Sequence, residues 1–131
     1  MATKRNIPFE FVFDHLEGLP YEVKPFFGCF AIYIGDKIML ILRDKKDHPE
    51  VNGVWIATSH DNHESLKSTF PSMCSVSIFN DGAGETAWQM IPVDAADFES
   101  SVFELCKLVR REDKRIGRVP KKKKPKVKEK L

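Results

Sequence analysis

Cysteine is scarce and badly placed for cross-linking. Cys29, Cys74 and Cys106 are odd in number, lie far apart and form no CxxC pair, which excludes a disulfide framework or zinc ribbon as the basis of the fold. Each sits in an apolar run, so all three are expected to be inert, reduced core thiols. No apolar run approaches membrane-spanning length, and no apolar h-region follows Lys4 and Arg5. The expectation is a soluble, unexported, cytoplasmic protein with no membrane partner. Also missing are GxSxG, HExxH, a Rossmann fingerprint and a paired-carboxylate motif, so the expectation is a protein that is not an enzyme and holds no cofactor.

What is present is a marked division of charge. Residues 114–131 carry ten basic residues and one acid, net +9, whereas residues 1–113 carry eleven basic and eighteen acidic residues, net −7. From Lys114 onward the hydrophobic pattern stops, and KKKKPKVKEKL has too little apolar surface to offset its ordering entropy. The body is therefore expected to fold over residues 1–113, and residues 114–131 to form a disordered basic tail. Lys121, Lys122, Lys123, Lys124, Lys126 and Lys128 are the candidate contacts to nucleic acid or to an acidic partner. No aromatic residue is interleaved for base stacking, so any nucleic-acid binding through them is expected to be non-specific.

The folded part is organised around VKPFFGCFAIYIGDKIMLILRD, residues 23–44. Alternation through this stretch predicts strand, with Gly28 breaking two extended segments and Pro25 indicating a sheet edge or a bulge. Gly35-Asp36 suits a primed hairpin turn into Lys37–Leu42, a run apolar on both faces and so expected to be covered on both. Before it, Phe9, Val12, Phe13 and Leu16 predict a helix over Pro8–Glu17, capped by Asn6 and ended by Gly18. After it, RDKKDHPEVNG (residues 43–53) reads as a charged surface loop, Val54–Ala57 as a short strand, and Asp61 with Glu64 as the capped start of a helix stopped by Pro71. Cys74–Ile78 and Thr86–Ile91 predict a strand pair joined by NDGAGE, and Asp94 is expected to cap a last helix bearing Phe98, Val102, Leu105, Cys106 and Val109 on one stripe. The order α-β-β-β-β-α-β-β-α predicts a two-layer α+β domain on an antiparallel-rich sheet.

The residues V-K-P-F-F-G-C-F-A-I-Y-I-G-D-K-I-M-L-I-L resemble the opening hairpin of the TfoX N-terminal domain family. Phe26, Phe27, Gly28, Ala31, Tyr33, Gly35 and Asp36 occupy the family's positions, although Cys29 and Ala31 stand where glycines are common and Phe26 where Met is usual. The resemblance covers roughly the folded body. It implies a secretion-chaperone-like α+β fold without known catalytic activity; the namesake's regulatory function, tied to a separate C-terminal helical domain, is not expected to transfer to a chain with no room for it.

His60 and His63, with His48 and Asp61 as possible additions, invite a metal, but two histidines at a helix start fall short of the three or four ligands zinc needs, and no metal is expected. His15, beside the first helix's apolar stripe, is given no role. Asp81–Glu85 has two glycines but lacks the Lys-Ser/Thr of a phosphate loop and reads as a hairpin connection. The primary expectation is thus a small TfoX-N-like binding or regulatory module acting through a protein partner or a homodimer. The alternatives are a non-specific nucleic-acid-binding accessory working through the tail, and an enzyme using a pocket near His48, His60 and His63.

Overall fold

The computed structural model describes residues 7–76 and 87–119. It is an α+β fold with the element order read from the sequence: α1 (Phe11–His15), β1 (Tyr21–Phe26), β2 (Cys29–Ile34), β3 (Lys37–Arg43), β4 (Gly53–Ile56), α2 (His63–Thr69), β5 (Cys74–Ser75), β6 (Gln89–Pro92) and α3 (Phe98–Arg110). The strands form one antiparallel sheet in the order β1-β2-β3-β4-β6-β5. Among the described residues no helix is long and apolar enough to cross a membrane.

Period-2 alternation sorts the side chains onto two faces. Ile32, Leu40, Leu42, Val54, Ile56 and Ile91 join the apolar stripes of the helices in one core, to which α1 gives Val12 and its C-terminal cap Leu16, α2 gives Leu66, and α3 gives Val102, Leu105 and Val109. On the other face Ala31, Ile41, Trp55 and Met90 lie in register across four strands and form a second core with Cys29 and Val51. The strand Lys37–Arg43 is therefore covered on both sides, as its doubly apolar sequence requires. The register between β2 and β3 shifts between Ile32 and Tyr33, leaving Met39 as the extra residue of a bulge. That bulge turns both Met39 and Leu40 toward the helices and sends Ile38 to the second core.

Several boundaries differ from the sequence expectation. The first helix starts at Phe11 rather than Pro8 because Phe9 takes a left-handed φ of 57°; Asn6 lies outside the described residues. Asp61 does not cap α2, since residues 60–62 wind as a 3-10 turn that leaves Asn62 at the cap position. Asp94 does not cap α3 either: residues 92–98 make turns, Ala95 N–H bonding to Pro92 O and Phe98 N–H to Ala95 O, which moves the cap position to Asp97. The connection NDGAGE lies outside the described residues.

The boundary expected at Asp113 also moves. Residues 115–118 fold back beside β3, occupying the ladder position that β4 leaves when it ends at Ile56. Gly117 N–H donates to Ala57 O at 2.7 Å, and Arg118 and Ile38 exchange bonds of 3.0 and 2.9 Å. Thr58 Oγ1 donates to Arg115 O at 2.6 Å, and Ile116 is buried in the helix-side core. The Arg115 guanidinium holds Asp113 at 2.8 Å, and its hydrogen bonds bring that carboxyl down to about 2. Composition hid this segment because one buried isoleucine and a set of hydrogen bonds secure it, which leaves no periodicity signal. Three of the ten basic residues assigned to the tail, Lys114, Arg115 and Arg118, thus belong to the folded body.

Candidate functional site

Arg43 closes β3 and is only 3% exposed. A buried guanidinium must spend its forked donors, and the loop after it supplies the acceptors. Nη1 donates to Asn52 Oδ1 at 2.6 Å and to His48 O at 2.9 Å, and Nη2 donates to Asp47 O at 2.9 Å, with the Asp47 carboxylate at 3.4 Å. Asn52 Oδ1 also accepts from Lys45 N–H at 2.9 Å while its Nδ2 donates to Lys45 O at 2.8 Å. His48 stands in a left-handed conformation, φ 51°, within this wrapped loop. The segment is therefore not a loose surface loop but a coil around one cation. Arg43→Lys should cost about 2–3 kcal/mol, since a point charge cannot serve carbonyls on both sides of the fork. Denaturant melts of the variant within 0.5 kcal/mol of wild type, on the order of error, would show that the guanidinium is not the hub.

The coil faces the β1–β2 turn. Phe27 and Gly28 fill that two-residue turn with φ of 51° and 81°, the left-handed pair of a primed hairpin. Gly28 is favoured by its φ, whereas the Lys45 Nζ that a Cβ there would meet at 2.8 Å is the end of a flexible side chain that can move aside. Phe27 is the anomaly, since a bulky residue at positive φ is strained and this one is 84% exposed. Its ring touches only Phe26 among the aromatic contacts of the turn, edge-on at 4.8 Å. Between turn and coil lies a cleft of about 210 Å³ walled by Phe26, Phe27, Cys29 and Trp55, with Lys45 and Asp47 at its polar side.

The chemistry of this cleft favours holding over reacting. Burial pushes the Cys29 thiol up, ahead of the opposing pull of Arg43 and Lys45, and its S–H donates to Phe27 O at 3.8 Å. It is a protonated wall atom at neutral pH. Cys106 is the inert core thiol expected, pushed up to about 12 by burial. Cys74 departs from expectation: it is exposed on β5. Partial desolvation still raises it, against the pull of Lys67.

The histidines divide. His60 and His63 rings lie 4.9 Å apart, and His63 Nε2 is 3.0 Å from Ala87 O. His48 belongs to the Arg43 coil and faces Glu50 at 3.4 Å. Among the described residues no three His, Cys, Asp or Glu side chains converge. His15 packs against Phe103, ring to ring at 4.7 Å. Lys121, Lys122, Lys123, Lys124, Lys126 and Lys128, like Asp81–Glu85, lie outside the described residues.

Sequence reasoning missed the exposure of Phe27 and the burial of Arg43. The first had a signal, an X-Gly dipeptide between two strand-like runs, which is a turn signature even when X is aromatic. The second had none, because an Arg opening a charged segment looks solvated. Comparison of the chain with family models, curated proteins and solved structures found no match.

Proposed function

We propose that this chain is a non-catalytic, cytosolic binding module of the TfoX N-terminal-domain kind, acting through protein contact at the β1–β2 turn. One observation carries the reading: Phe27 is strained and exposed at once. A strained residue persists where surrounding structure or function requires it, and intramolecular packing gives an 84% exposed ring little reason to be there. Family resemblance supports the same assignment through the hairpin residues alone, and three free cysteines suit a reducing compartment.

The contact is made by side chains rather than by strand addition. β1 is a sheet edge, and the two-residue turn makes Phe26 and Cys29 a hydrogen-bonded pair, so Tyr21, Val23 and Pro25 direct their backbone groups outward. Pro25 has no N–H, and Tyr21 spends its own on Leu19 O at 2.9 Å. Val23 is left to offer an N–H, which makes a poor template for a partner strand.

A photoreactive phenylalanine analogue at position 27, in the full chain expressed in its own cells, tests the proposal. The expected result is a discrete covalent protein adduct that is absent when the analogue replaces Phe30, a half-buried residue within the sheet. A turn that yields no adduct after irradiation contradicts the assignment.

A further inference from the structure

We infer that the partner of the β1–β2 turn is a second copy of this chain, Phe27 of each copy entering the cleft of the other. The inference rests on the binding reading above and specifies the partner. The turn carries a knob and a hole side by side. The knob is one aromatic ring, and the hole, about 210 Å³, is of the order that takes one: an apolar cavity of about 150 Å³ admits benzene. A patch bearing both is self-complementary, as a twofold interface must be. Phe26, half-buried in its wall, offers an aromatic ring to an incoming one, and Trp55, only 2% exposed, closes the wall behind it.

The charge around the hole allows the same partner. Lys45 and Asp47, one charge of each sign, line it, and the rest of residues 44–50 adds Lys46, Asp44 and Glu50. A rim of one sign would repel its own copy, whereas this one can set Lys45 against the acids of its mate. A partner that was strongly acidic or strongly basic would find no matching field here.

The turn and one loop form a small interface, below the roughly 800 Å² per partner of a stable complex, so association is weak, with Kd on the order of 10–100 μM. Sedimentation equilibrium of the purified full chain should give a mass that climbs from the 15.0 kDa of one chain toward twice that value as concentration rises. Phe27→Asn creates the Asn-Gly pair favoured in primed turns, so this variant relieves the strain while removing the knob. It should remain at one chain's mass at every concentration while its melting temperature rises by about 2–6 °C. A variant that melts higher but no longer associates is the signature of strain kept for contact, and misfolding cannot mimic it.

A wild-type chain that stays monomeric to about 1 mM, some tenfold above the expected Kd, overturns the inference, as does Phe27→Asn associating like wild type. The crosslinking experiment separates the two proposals. An adduct of twice the chain mass, with position 27 joined to Phe26, Cys29 or Trp55 of its mate, supports both. An adduct with a different protein, from a chain monomeric when pure, keeps the binding module and removes the second copy. No adduct removes both.

Discussion

Gly53→Ala should lose about 4 kcal/mol or more, because the added methyl group has nowhere to go. Gly53 opens β4 with a φ of 151°, and a Cβ built there falls 2.2 Å from Ile91 O and 3.1 Å from Pro92 Cα. Both neighbours are backbone atoms of the adjacent strand, so no rotamer change relieves the overlap. The site is central as well as tight, with Gly53 paired to Arg43 on one side and Pro92 on the other. Pushing β6 away would also strain the Val93 N–H bond to Asn52 O, 2.9 Å, and through Asn52 the acceptors that hold Arg43. Denaturant melts measure the loss directly. A loss below about 1 kcal/mol, typical of an ordinary substitution, would mean that the strands can separate at this point and that the close approach is not required.

Gly53 also shows where sequence reasoning stopped. Asn52-Gly53 reads as turn chemistry, and the charges before it complete the picture of a surface loop. In the fold Asn52 and Gly53 are both buried, the glycine for close strand approach and the asparagine as an acceptor for a cation. The same two letters serve either purpose, and only the partner strand, some forty positions away, decides between them. Elements whose signal is local were legible: the β2–β3 hairpin, the edge position as one of the two readings of Pro25, the apolar stripe of α3 and the order of the nine described helices and strands. Features set by distant contacts were not. The fold-back of residues 115–118 depends on the vacant ladder position beside Ile38, and the exposure of Phe27 depends on how the neighbouring coil, whose Lys45 Nζ reaches Phe27 O at 3.5 Å, leaves the ring uncovered. The binding site is built from features of this second kind, a buried Arg in a charged stretch and an exposed Phe in an apolar one. A pattern that assigns apolar residues inward and charged ones outward places each on the wrong side.

The α3 stripe, by contrast, supports a prediction that sequence and structure share. Leu105 is fully buried in the core formed with Val12 of α1, the adjoining Leu16, and Ile32 and Leu40 of the sheet. Truncation to Ala removes apolar surface and leaves a cavity that two layers, held by the sheet on one side and α1 on the other, cannot close. Leu105→Ala should therefore cost about 3–5 kcal/mol. Phe103, on the outer face of the same helix, is the control. It is 42% exposed, touching the His15 ring at 4.7 Å and lying beneath the Lys107 ammonium at 5.1 Å. Phe103→Ala deletes more atoms than Leu105→Ala, yet it leaves no enclosed void and gains some helix propensity, so its cost should be about 1 kcal/mol. Paired denaturant melts read the difference. If the two variants melt alike, or Phe103→Ala is the more costly, then α3 is seated on the sheet by another face than the one its stripe declares.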